Sequence, residues 1–264
     1  MYDYHTHSLY SSDGHSSIDG MVEKAISLGL KDIAVTDHYD PDFCNPAYDY
    51  VLDFENYQQA LLDAEDKYGS QINIIKGIEL GLQHGATIKK CIKAVSGFSY
   101  DFVLGAFHCA EGFDIYEPVY FKGRSVEKTY RAYYTYMLEC LEQYKNYDVM
   151  AHFNIIDRYA PRIPAFNTYS DITAEIMTLL VKDGKGIEIN TSSKRYGMGG
   201  LCTPTQDMLN LYVNSGGEII TVGSDAHRVA DVGYAYDLAV EMVRQTGLTH
   251  IATFKNRRAE LARI

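Results

Sequence analysis

The chain has 264 residues and a formal net charge of −11, from 24 Lys and Arg against 35 Asp and Glu. Hydrophobic residues at 46% and charged residues at 22% are globular proportions and exclude a disordered or fibrous chain. The acidic balance argues against wrapping a nucleic-acid backbone, which takes clustered Lys and Arg, and it should also repel phosphorylated small molecules unless the local field reverses.

In chain order, short β-branched runs alternate with longer helical stretches, at a length that fits one domain over 1–264. A strand is expected over 3–7, then a helix over 19–28 capped by Ser17, and a strand over 32–37. There follow a helix over 56–68, a strand over 72–79, a helix over 88–95 and a strand over 101–108. A long helix over 125–144, capped by Ser125, leads to a strand over 148–153. The remaining pairs are helix 172–183 with an Asp171 cap and strand 186–190, then helix 204–214 behind Thr203 and strand 218–224. A last helix is expected over 232–246, and the tail 249–264 should add an edge strand or a cap, with Lys255, Arg257 and Arg258 facing solvent. Gly29, Gly69, Gly184 and Gly247 stand where helices should stop. Seven β/α units without a linker or repeat suit an α/β fold closed into an irregular, TIM-like barrel.

Flanking features are quieter. The polar start MYDYHTHSLYSSDGH holds no apolar signal core, and no apolar run approaches the ~18 residues of a membrane span. Five scattered cysteines without a Cys-x-x-Cys pair read as reduced thiols, so a cytoplasmic protein without membrane contact is expected. Of the 23 tyrosines, Tyr130, Tyr133, Tyr134 and Tyr136 fall at helical spacing and read as packing, leaving a minority to line a pocket.

The histidines carry more. His5 and His7 end the first expected strand, His38 follows the second, Glu79 ends the third, and His108 and His152 close the fourth and fifth. Asp225 and His227 follow the seventh. In parallel barrels the C-terminal strand ends form the functional face. The period of two lets His5 and His7 point at one ion, and imidazoles mixed with carboxylates suit Zn, Mn or Fe. A lone histidine at a strand end is usually a surface residue; a series of them at successive ends is not. His84 and His250 break the pattern and read as surface residues, while Asp13 and His15 form either a turn or a fold-back over the site.

The run His5-Thr6-His7, then Ser12-Asp13-Gly14, Thr36-Asp37-His38, Gly-Ile-Glu79-Leu-Gly, Phe107-His108, Ala151-His152 and Ser224-Asp225-Ala226-His227 resembles the polymerase and histidinol phosphatase (PHP) superfamily. Glu188-Ile189-Asn190-Thr191-Ser192 and the segment lengths resemble its monofunctional histidinol-phosphatase branch. The resemblance spans almost the whole chain. It implies a distorted (β/α)7 barrel with three divalent metal ions at the strand C-termini.

By position, the resemblance places His5, His7, Glu79 and Asp225 on the first ion, with Glu79 bridging to a second held by His108 and His152. The third would take His38, His227 and a residue of the first loop, either Asp13 or His15, with Asp13 the position-matched choice. Relatives often carry His there, and an acid makes the site harder and more anionic. Asp37, on the opposite strand face from its neighbour His38, would support or cap rather than ligate.

The implied chemistry is phosphomonoester hydrolysis, with L-histidinol phosphate as substrate and a hydroxide bridging two ions as nucleophile. Asp225 or His227 would protonate the leaving alkoxide. Arg158 and Arg195 are candidate phosphate holders, Arg195 with Lys194 beside it, because guanidinium binds phosphate in bidentate fashion. No Gly-x-Ser-x-Gly elbow or phosphate-cradling Gly-Lys loop is present, and Gly197-Met198-Gly199-Gly200 signals only a loop. Two other readings stand beside this one: an esterase for another small phosphate ester or a nucleotide, and a metal-binding scaffold without activity.

Overall fold

A computed structural model describes residues 1–48, 51–198 and 202–264; Gly199 and Gly200 of the glycine-rich loop lie outside the described residues. The apolar runs pair in parallel as β1 (Tyr2–Asp3), β2 (Asp32–Val35), β4 (Asn73–Gly81), β5 (Phe102–Ala106), β8 (Val149–Met150), β9 (Gly186–Asn190) and β10 (Ile220–Gly223), in that order around the sheet. The ends meet where Tyr4 N–H donates to Val222 O and Asp225 N–H to His5 O, both at 2.8 Å, nearly closing a seven-stranded barrel. β9 and β5 are buried at every residue, as expected of strands covered on both faces.

Around the sheet pack α1 (Ile18–Ser27), α2 (Phe54–Tyr68), α3 (Ala86–Gly97), α4 (Val126–Gln143), α5 (Ser170–Lys182), α6 (Gln206–Asn214) and α7 (Tyr236–Gln245). Ser17 and Ser125 accept from the backbone N–H groups of Gly20 and Lys128, as their sequence positions suggest. Two expected caps do not form. Asp171 sits inside the first turn of α5 and pairs with Arg131, and Thr205 rather than Thr203 caps α6 by accepting from Met208 N–H. Thr203 exchanges backbone hydrogen bonds with Asn190 instead, which holds it out of the helix. Helix α7 starts four residues later than expected, because Gly233 and Ala235 take left-handed backbone angles, φ 69° and 51°, outside the helical region.

Three short strands are absent from the sequence reading, and two more build the tail, where an edge strand or a cap is expected. β3 (His38–Tyr39) hooks onto β4, with His38 opposite Glu79 and Tyr39 opposite Leu80. β6 (Cys109–Ala110) and β7 (Phe113–Asp114) make a small hairpin after β5. β11 (His250–Lys255) and β12 (Arg258–Arg263) form an antiparallel hairpin that supplies the expected terminal cap. Its basic turn is not simply a solvated face. Arg257 pairs with Asp148, its N–H donates to Asp101 O, and Lys255 Nζ lies 3.2 Å from Asp101 Oδ2. Asp101 and Asp148 are buried at the N-terminal ends of β5 and β8, so the hairpin supplies the cations those acids need.

Candidate metal centre

The strands stop pairing just before the residues of interest. β5 and β8 end at Ala106 and Met150, two residues short of His108 and His152. His152 and Asp225 take left-handed backbone angles, φ 25° and 53°, which turn their side chains inward and which L-residues adopt only under constraint. The turn at His152 shortens the expected strand 148–153, while the expected strand 101–108 stops pairing at Ala106.

At the C-terminal mouth the donor atoms converge in three overlapping groups. His5 Nε2 lies 2.9 Å from His7 Nε2 and 3.2 Å from Glu79 Oε2, and Asp225 Oδ1 is 3.4 Å from His7 Nε2. Glu79 Oε1 lies 2.8 Å from His152 Nε2 and 3.4 Å from His108 Nε2, whose own separation is 3.4 Å. Asp13 Oδ2 sits 3.7 Å from His38 Nε2 and 3.4 Å from His227 Nε2. The sets His5–His7–Asp225, His5–Glu79–His152, His38–Glu79–His108 and His7–His38–His227 each bring three donor atoms within 4.8 Å of one another. Such spacing of imidazoles and carboxylates fits divalent ions, with Glu79 presenting one oxygen to each inner group.

Charge is arranged to suit a cation. Burial opposes ionisation of Glu79, yet His5, His38 and His108 around it hold it well below the usual carboxylate range. Burial likewise opposes a charged His108, but Asp40 and Glu79 outweigh it and raise it to about 9. Burial, with the neighbouring His227 and His38, drives His7 down to about 3, so its ring is neutral with a lone pair to offer. The acids thus stay anionic at neutral pH, and they attract positive charge into the mouth.

Buried partners outside the donor groups orient them, and these the sequence reading did not single out. Glu188 Oε1 is 2.7 Å from His5 Nδ1, and its Oε2 accepts from His152 N–H at 2.9 Å. Asp40 Oδ1 is 2.6 Å from His108 Nδ1. Signals existed: Glu188 interrupts the apolar strand Gly-Ile-Glu-Ile-Asn, and Asp40 follows His38 by two residues, the strand period. Asp37 points away from the donors and accepts from the backbone N–H and hydroxyl groups of Ser8 and Ser11, fixing the loop that bears Asp13.

The mouth opens into a cavity of about 250 Å³ lined by Asp13, His38, His108, His152, Asp225 and His227 together with Tyr48, Tyr116, Ile155, Arg158, Tyr159 and Tyr196. Arg158 enters it with a side chain 5% exposed, held by Ser192, by Ser193 Oγ at 3.0 Å and by Asn190 Oδ1 at 3.3 Å. Its guanidinium is 3.8 Å from Asp225 Oδ2. Arg195 lies beside this cavity, in a neighbouring one of about 400 Å³ shared with Asp13, His15 and His227. It donates to the Ser224 and Asp225 carbonyls at 2.9 Å. His15 is exposed on that rim and belongs to none of the donor groups among the described residues; Lys194 is exposed and lines neither cavity. His84 packs edge-on against Tyr136 and His250 lies in β11, both away from the mouth.

A parallel barrel whose strand ends gather six histidines and three acids around one mouth is a metal-binding α/β barrel of hydrolytic type. The PHP domain family model matches residues 3–192, and the chain belongs to that family. It is 30% identical over 255 residues to a probable histidinol-phosphatase of Clostridium acetobutylicum, covering 94% of each chain. It is 27% identical over 265 residues to the histidinol-phosphatase of Lactococcus lactis, covering 96% of this chain and 93% of the relative. In fold it matches the crystal structure of the Lactococcus lactis histidinol phosphate phosphatase complexed with zinc, L-histidinol and phosphate. That match has a TM-score of 0.85 over 98% of both chains, at 24% sequence identity.

Proposed function

We propose that this chain is a metal-dependent phosphomonoesterase that hydrolyses L-histidinol phosphate to L-histidinol and phosphate in histidine biosynthesis, a cytoplasmic role. The observation that carries the reading is the convergence of donor atoms at Glu79, whose two oxygens face separate groups of histidines. His5, His7, Glu79 and Asp225 would hold one divalent ion, Glu79, His108 and His152 a second, and Asp13, His38 and His227 a third. Zn, Mn or Fe suits these donors. When bound, such ions supply Lewis acidity and a water acidified toward neutral pH.

The chain's own groups then do the rest. Arg158, fixed by Ser192, Ser193 and Asn190, presents its guanidinium to a phosphate entering beside Asp225; Arg195 supports the same loop through the Ser224 and Asp225 carbonyls and adds positive charge on the other side. Asp225 is the better placed proton carrier. Its Oδ1 faces His7, while its Oδ2, bonded to Ser192 Oγ at 2.9 Å, faces the arginine. His227 has Nε2 directed at Asp13 and Nδ1 at its own loop, at the Asp225 carbonyl, and serves as a donor to the ion. Tyr116, Tyr159 and Tyr196 give the leaving group an aromatic wall, which suits an imidazole.

The net charge fits a small ester better than a nucleic-acid polymer. Three divalent ions would outweigh the carboxylates of Asp13, Glu79 and Asp225 and make the mouth locally positive. The test compares kcat/KM of the metal-replete protein for histidinol phosphate, a nucleoside monophosphate and an aryl phosphate. A clear preference for histidinol phosphate is expected; equal rates on all three would reject the substrate assignment and favour a general small-ester phosphatase.

A further inference from the structure

β3 is only two residues long, yet it sets His38 opposite Glu79 and Tyr39 opposite Leu80. The next position in that register puts Asp40 beside Gly81. The fit there is close: a Cβ added at Gly81 would come within 1.9 Å of Asp40 Oδ1, so only glycine leaves room for the carboxylate. Asp40 is 4% exposed. Its Oδ1 is 2.6 Å from His108 Nδ1, and its Oδ2 faces His38 Nδ1 at 3.5 Å. His38 Nδ1 is also 3.0 Å from Glu79 Oε2, so that ring nitrogen lies between the two carboxylates.

We propose that Asp40 is a shared positioning residue, one carboxylate that orients a ring of the inner second site and a ring of the rim, so that the second and third ions bind as a coupled pair. The inference rests on the metal-centre reading above. The first site is oriented separately. Glu188 reaches His5 across the intervening strand β10, seated against Gly223, where an added Cβ would meet Glu188 Oε1 at 2.0 Å. Each half thus has its own outer carboxylate and its own glycine seat. A carboxylate on Nδ1 fixes the tautomer that leaves Nε2 for the ion, and its removal typically weakens metal binding roughly 10–100-fold.

The experiment follows zinc per chain as the zinc-loaded protein is dialysed against a graded competing chelator, for the wild type and for Asp40→Ala, Asp40→Asn, Gly81→Ala and Glu188→Gln. In Asp40→Ala the second and third ions should leave together, at chelator concentrations roughly 10–100-fold below those needed for the wild type, while the first is retained as before. Asp40→Asn, which keeps an acceptor oxygen without the charge, should shift less. Gly81→Ala should reproduce the paired loss although Asp40 is still present, and it carries the test if Asp40→Ala does not fold. Glu188→Gln should loosen the other ion first. Loss of a single ion in both Asp40→Ala and Gly81→Ala, equal loosening of all three, or no shift would overturn the coupling while leaving the metal centre intact. A wild type that retains fewer than two ions would instead overturn the metal-centre reading, and the coupling with it.

Discussion

The two halves of the metal centre are built differently. His5, His7 and Glu79 are fully buried, and their outer partner Glu188 is buried as well. On the rim, the side chains of Asp13 and His227 are 38% and 20% exposed. The inner donors are fixed from several strands at once, since Glu188 touches the ring of His5 and the backbone of His152, residues far apart in sequence. The rim draws Asp13 from a loop tied down by Asp37, His38 from the two-residue β3 and His227 from the segment after β10. Burial therefore makes the inner half rigid and slow to exchange, whereas the rim is open to solvent and to substrate.

The comparison can be broken at Glu79, where both inner groups meet. Glu79→Ala should lower kcat/KM by at least roughly 1,000-fold, beyond the 10–100-fold typical of an outer partner, and should strip metal from the chain. Retained activity in a folded variant would mean that the inner half is not the reactive one. At the substrate side, Arg158→Ala should cost about 100-fold in kcat/KM, as expected for lost charge-assisted bonds to phosphate. Arg195→Ala, whose group also braces a loop, should cost about tenfold by the same reasoning. Reversed magnitudes would move the phosphate into the neighbouring cavity.

A gentler probe separates the halves directly. Under limiting chelator the second and third ions should leave first and together, at about tenfold lower chelator than the first ion, because the rim donors of the pair are partly solvated. Prior loss of the first ion in the wild type would invert the comparison. The smallest effect lies outside both halves. Burial pushes Asp157, bonded to Tyr130 and Asn154, up to about 6. The folded chain therefore keeps a proton that the unfolded chain, with the ordinary value of 3.8, has already lost. That contribution to stability is full below the unfolded value and is lost as pH rises toward 6. Asp157→Asn cannot ionise, so its Tm should fall less between pH 5 and 7 than the wild type's; parallel curves would rule this titration out.

Much of the barrel was legible because β/α alternation and strand-end histidines are local signals. Strand 186–190 coincides with β9, and the Ser17 and Ser125 caps form where expected. The donor residues could be picked out because side-chain identity and the strand period suffice to align them. What escaped depends on register between distant segments. The two-residue β3 has no periodicity to detect, and Asp40 matters only because that register sets it against Gly81. Glu188 acquires its role from a residue 183 positions away. Thr203 and Thr205 are equally plausible caps by type; the backbone pairing of Thr203 with Asn190 decides between them. Arg257 reads as a surface charge until the buried acid it meets, Asp148, is known.

The terminal hairpin has a consequence for how the barrel wall is held. Its turn at 255–257 neutralises Asp101 and Asp148, which begin the strands that lead to His108 and His152. In chain order the hairpin follows every barrel strand. Without the hairpin, Asp148 would lose its arginine and Asp101 would keep only Lys76, at 3.5 Å, at the base of β8 and β5. The wall that bears the second group of donors therefore leans on a segment that follows every barrel strand in the sequence.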